Sequence, residues 1–192
     1  MAGMTGATSP SEPPVRWTEA TVYPDMWVDP DVDPRTMEGP SPDGELATLR
    51  EYLRNYRLTL RLKCEGLDAE QLARRSVPPS TLSLLGLVRH LAECERDWRG
   101  WVTGEREERL YGRGGDVDGA VADEAVVAAA FADLEREQRA ADAALLDHTD
   151  LGAVLPDGTT VRDLWVHHVE EYARHCGHAD LLRECIDGRV GQ

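Results

Sequence analysis

Four stretches of the chain carry apolar residues at intervals of three and four, the spacing that lines up side chains along one side of an α-helix. Leu46, Leu49, Leu53, Tyr56, Leu60, Cys64 and Leu67 form the first stripe, which begins after Gly44. VPPS (77–80) interrupts it, and Ser80 or Thr81 is placed to cap the next helix. Leu84, Leu87, Val88, Leu91, Trp98 and Trp101 form the second stripe, ending near Gly104. The third covers roughly 123–147, with Val127, Phe131, Leu134, Ala141 and Leu145 on one side. A PDG turn at 156–158 precedes the fourth, where Thr160 and Asp163 make a capping-box-like start. That helix runs to about Ile186 and stops at Asp187-Gly188. A short extended piece near Val154-Leu155 is the one hint of strand. Four amphipathic helices, each with one stripe to bury, predict an all-α four-helix bundle. The polar, glycine-rich loop YGRGGDVDGA joins the second helix to the third, so these two need not be antiparallel neighbours.

A chain of 192 residues normally builds one domain around one core. Residues 43–192 are expected to form it, and residues 1–42, rich in Pro, Asp, Ser and Thr, a flexible or extended N-terminal arm. From Trp17 to Trp27 the arm carries enough aromatic groups to lie across the folded body. DPDVDP (29–34) resembles the start of a calcium loop, but Pro34 stands where the loop needs glycine and Pro40 where it needs glutamate. A solvated loop is expected there instead.

The formal net charge of −15 repels nucleic-acid phosphates and acidic headgroups, so neither nucleic acid nor membrane is expected as a partner. No apolar run approaches the ~20 residues needed to span a bilayer. The N-terminus lacks the charged start and apolar segment of a secretory signal, and Cys64, Cys94, Cys176 and Cys185 form no CxxC pair. A cytoplasmic protein with reduced thiols is the expectation.

The fourth helix carries the chemistry. Its apolar positions are Val161, Leu164, Trp165, Tyr172, Ala179, Leu182 and Ile186, and continuing that stripe through HHVEEYARH lands on His168, Glu171 and His175. Asp163, His167, Glu170 and Arg174 fall on the opposite face, toward water. A carboxylate turned into a core is costly unless paired or bound to a metal. Glu171 and His175, four apart, can chelate one ion, and a buried Glu–His hydrogen bond would satisfy both as well. On the second helix, His90 lies at the edge of the core stripe one turn after Gly86, whose lack of a side chain implies close packing on another element. His90 could then approach Glu171 and His175 from a facing helix, giving the three-ligand count of a catalytic zinc.

LSLLGLVRHLAECERDW, followed about eighty residues later by HHVEEYARHCGHADLLRE, resembles the DinB-like superfamily, specifically the actinobacterial branch of mycothiol-dependent S-transferases. It is more distantly similar to mycothiol-dependent maleylpyruvate isomerase. The likeness spans roughly 44–188, including KCEGLDAEQL and VPPSTLSLLG. It implies a four-helix bundle holding a divalent metal, zinc or alternatively nickel, on His90, Glu171 and His175, with mycothiol as the thiol co-substrate. Glu171 stands where many superfamily members carry histidine, which matches the mycothiol-associated branch.

A coordinated thiol is deprotonated and becomes a nucleophile toward a small electrophile. His168, about one turn before Glu171, is a candidate catalytic group that could orient this ligand or shuttle a proton, or else a core histidine. His178 is a candidate cofactor-binding residue at the site entrance, Cys176 is read as packing, and Glu93, Cys94 or Asp97 could stand behind His90. The leading expectation is a metal-dependent thiol S-transferase in detoxification or stress metabolism. A metal-dependent hydrolase or isomerase is the second. The third is a non-catalytic metal-binding bundle, paired as a homodimer through Trp98, Trp101 and Trp165.

Overall fold

The computed structural model describes residues 15, 27–28, 31–36, 40–112 and 114–191. Among them are six helices and no strand: α1 (Glu45–Cys64), α2 (Ala69–Ala73), α3 (Leu84–Thr103), α4 (Gly115–Asp118), α5 (Glu124–Leu145) and α6 (Val161–Asp187). The four long helices are those marked by the apolar stripes. Among the described residues no helix is long and apolar enough to cross a membrane.

Local chemistry sets most of the boundaries. Thr160 caps α6 by accepting from the Asp163 backbone N–H, and Gly188 ends it in the left-handed conformation at φ 79°. Asp123 caps α5 through the N–H groups of Ala125 and Val126. Two sequence expectations shift. The first stripe does not run unbroken to Leu67: α1 ends at Cys64, Glu65 is extended, and Asp68 starts α2 with its own capping box to Gln71. The cap of α3 is Ser83, which accepts from the Gly86 N–H, rather than Ser80 or Thr81. The extended piece at Val154 is a single bridge to Thr160.

Cross-helix pairs give the chain directions. Glu45 meets Arg162, Arg57 lies over the Tyr172 ring and Lys63 meets Asp180, so α1 and α6 run parallel. The His90 ring packs on His175 and Trp98 on His168, so α3 runs against α6. Arg57 pairs with Asp142 and Arg61 with Glu135, so α5 runs against α1. It follows that α3 and α5 are parallel, and they pack extensively on each other. Parallel neighbours cannot be joined by a tight turn, and the long crossover, residues 104–123, is the consequence. Its start is fastened by charge: Glu107 bridges Arg96 and Arg99, and both arginines also reach the buried Glu137 on α5.

The core is a leucine-rich line contributed by all four long helices, including Leu53, Leu60, Leu87, Leu91, Leu134, Leu164 and Leu182. Each such side chain contributes on the order of 1.5–3 kcal/mol by leaving water. Trp98 and Trp165, expected at an interface or pocket, are buried in this core, and Trp101 packs against it. The arm lies largely outside the described residues. Trp27, its described aromatic residue, is buried beneath three cations, with Lys63 Nζ 3.8 Å and the Arg189 guanidinium 4.1 Å from its ring and Arg183 beyond them. In DPDVDP, Asp33 is not simply solvated: it binds the Arg35 guanidinium at 2.7 Å, which holds its carboxyl below the usual carboxylate range. Residues 29 and 30 lie outside the described residues.

Candidate metal centre

Helix α3 brings His90, and α6 brings Glu171 and His175, to one place. One ligand atom from each lies within 4.8 Å of the others. Glu171 Oε2 is 3.2 Å from His175 Nε2 and 3.8 Å from His90 Nε2. The two imidazoles meet edge to face, with centroids 4.8 Å apart. The inward face counted on α6 is the observed one for His168 and His175, which are buried, and for Glu171, which is mostly covered. Glu170 and Arg174 face water and pair with each other, as expected. His167 departs from the expectation, because its ring is half-buried, stacked on Trp101 at 5.7 Å and edge-on to Trp98.

The outer nitrogens of both rings are occupied. His90 Nδ1 is 3.1 Å from Asp116 Oδ2, and His175 Nδ1 is 3.3 Å from His178 Nδ1. An ionised carboxylate can only accept, so this contact suits the His90 tautomer that carries its proton on Nδ1 and its lone pair at Nε2. Burial, reinforced by the neighbouring His90, pushes His175 down to about 4 and keeps it neutral at pH 7. His90 Nε2, Glu171 Oε2 and His175 Nε2 are thus three groups able to donate electron pairs toward a common point, a donor set that suits a divalent cation. Cys94 lies beside it, with Sγ 3.5 Å from His90 Nε2, and burial followed by the Glu171 charge raises its thiol well above the ordinary range.

His168 is fully buried, 3.9 Å from the Trp98 ring centroid and 5.9 Å from that of Trp165, and neither ring nitrogen has a hydrogen-bond partner. No hydrogen bond links it to Glu171, and burial holds it neutral. His178 lies beside the cluster, with its Nδ1 3.3 Å from His175 Nδ1. Glu93 is turned away from His90 and accepts from the Tyr111 backbone N–H at 2.8 Å. Cys176 is buried, with Sγ against the Tyr56 carbonyl. All four cysteines are free thiols.

Asp116 was not anticipated. It sits in α4 on the crossover, 26 residues from His90, where no helical spacing connects the two. Gly86, expected to pack closely on another element, is where the crossover comes into contact with α3: a Cβ there would sit 3.6 Å from Val117 Cα, an ordinary contact, and closer, at 3.1 Å, to the capping Ser83 Oγ.

No curated relative matches the chain. A family model described as mycothiol-S-transferase matches residues 48–188, from the first turns of α1 to the cap of α6, and so includes every member of the His–Glu–His cluster. With the helical bundle and the convergent donors in place, the chain belongs to the mycothiol-S-transferase family.

Proposed function

We infer that this protein is a metal-dependent S-transferase that joins a low-molecular-weight thiol, mycothiol or a close relative, to small electrophiles in detoxification or stress metabolism. The observation that carries this reading is the convergence of His90 Nε2, Glu171 Oε2 and His175 Nε2 while both outer ring nitrogens are engaged elsewhere. Zinc suits two imidazoles and one carboxylate, with nickel as the alternative. When bound, such an ion would lower the pKa of a coordinated thiol so that sulfur is presented as thiolate. His90, Glu171 and His175 would supply three protein ligands, leaving coordination space for the thiol. His175, kept neutral by burial, has its lone pair available at physiological pH, and His178 steadies the ring through Nδ1. Conjugation forms one sulfur–carbon bond, and the leaving group departs with the bonding pair. His168, without a polar partner, acts by packing between Trp98 and Trp165.

The 3.2 Å contact between Glu171 and His175 favours a second reading, a non-catalytic pair in which the imidazole donates to the carboxylate. Elemental analysis of purified wild-type and His175→Ala protein, with conjugation assayed using mycothiol and a reporter electrophile, separates the two. The transferase reading expects near-stoichiometric metal and thiol-dependent conjugation in the wild type, both lost in the variant. Stoichiometric metal in His175→Ala rejects the ligand assignment. A metal-free, inactive wild type supports the pair, and hydrolysis that needs no thiol supports a hydrolase.

A further inference from the structure

We propose that Asp116 is a positioning residue that aims His90 at the metal, so that the crossover between α3 and α5 is part of the site; this rests on the metal reading above. The His90 side chain is 31% exposed, so packing alone does not hold its ring. Asp116 is buried, and among the described residues His90 is the side chain its carboxylate meets, at 3.1 Å. A carboxylate drawn out of water without such a partner is costly, and a loop of this length could have left it in solvent.

The carboxylate is itself held from behind. Arg89, the residue before His90, donates from Nε to the Asp116 carbonyl at 3.0 Å and from Nη2 to the Gly115 carbonyl at 2.5 Å. Its guanidinium lies 3.8 Å from the Tyr111 ring centroid. Tyr111 in turn donates its backbone N–H to Glu93, one turn further along α3. One glycine makes room for the Arg89 grip: a Cβ on Gly119 would lie 2.5 Å from Arg89 Nη2 and 2.6 Å from the Gly115 carbonyl oxygen. Adjacent residues of α3 therefore act together: Arg89 fixes the crossover backbone, and the crossover returns a carboxylate to His90. Because that carboxylate accepts only from Nδ1–H, it selects the tautomer whose Nε2 faces Glu171. His178 does not impose the same choice on His175, since an imidazole can donate or accept.

The test uses full-length Asp116→Asn, Asp116→Ala and Asp116→Glu. Zinc affinity is read by competition with a chromophoric chelator. The His90 tautomer is read in metal-free protein by long-range nitrogen–proton correlation on histidine-labelled samples, and circular dichroism checks the fold. Zinc affinity is expected to fall about 10–100-fold in Asp116→Asn and Asp116→Ala, with part restored in Asp116→Glu. Metal-free wild type should carry its His90 proton on Nδ1, and Asp116→Asn should shift it toward Nε2, because an amide can donate where the carboxylate could not. Folded variants that bind zinc within about twofold of wild type overturn this proposal alone. So does a wild-type His90 protonated on Nε2. A wild type that binds no zinc overturns both this proposal and the metal reading, and thereby separates the two failures.

Discussion

Two polar clusters share the interior of this bundle and meet at consecutive residues of α6, yet they are built on opposite principles. Tyr172 belongs to the first, with Arg57 from α1, Glu95 from α3, and Gln138 and Asp142 from α5. Arg57 grips Glu95 with Nε to Oε1 at 2.9 Å and Nη2 to Oε2 at 2.8 Å, and its Nη1 meets Asp142 at 2.8 Å. Tyr172 donates to Glu95 at 2.7 Å and accepts from Gln138 at 2.9 Å. Both oxygens of the fully buried Glu95 are answered by protein donors, although burial still pushes its carboxyl up against the pull of Arg57. Glu171, one residue earlier, belongs to the His90–His175 cluster, in which one carboxylate faces two imidazole nitrogens and no arginine or lysine is a member. Saturation marks a group that holds helices together, and unspent acceptors mark a group with room for a ligand.

Substitutions can break this contrast. Glu95→Ala should have the largest effect, because it removes the buried partner of Arg57 and leaves that charge only the exposed Asp142. A loss of about 3–5 kcal/mol in urea melts is expected, with zinc uptake by the folded fraction unchanged. Failure of metal binding in that variant at a temperature where it is folded would merge the two clusters into one functional unit.

Zinc supplied at about 100 times its dissociation constant should stabilise the wild type by about 2.7 kcal/mol and raise its melting temperature by several degrees. Glu171→Gln should melt near the metal-free wild type and gain almost nothing from zinc, which calorimetry with and without the ion will show. Tyr172→Phe, which removes the hydrogen bond to the Glu95 carboxylate and the one accepted from Gln138, should cost about 2 kcal/mol and leave the zinc response intact.

His168 supplies the smallest effect. Burial first, and the Arg57 charge next, hold its imidazole well below the ordinary 6.5. The unfolded chain therefore takes up a proton as pH falls below 6.5 and the folded one does not, so this contribution to stability is full above that pH and declines below it. Replacing His168 with Leu should remove up to about 1.4 kcal/mol per pH unit from the acid limb of the stability curve, measured by urea melts at successive pH values. It should leave thiol conjugation near wild type. A large loss of turnover with metal retained would restore His168 to the chemistry.

Periodicity alone located the four long helices and, on α6, the inward face that holds His168, Glu171 and His175. Both depend on neighbours three and four residues apart, and side-chain spacing encodes that directly. The cap at Thr160 was legible for the same reason. Glu95 and Glu137 were not. As carboxylates on amphipathic helices they look like surface charge, and they are buried only because arginines from other elements reach them.

The sequence by itself determined which residues face inward along each helix, because that is a matter of 3.6 residues per turn. Only the tertiary structure decided that α3 and α5 run parallel, and that the crossover this demands carries Asp116 back to His90. Such a contact depends on where a chain of about twenty residues returns in space, and no local repeat records it.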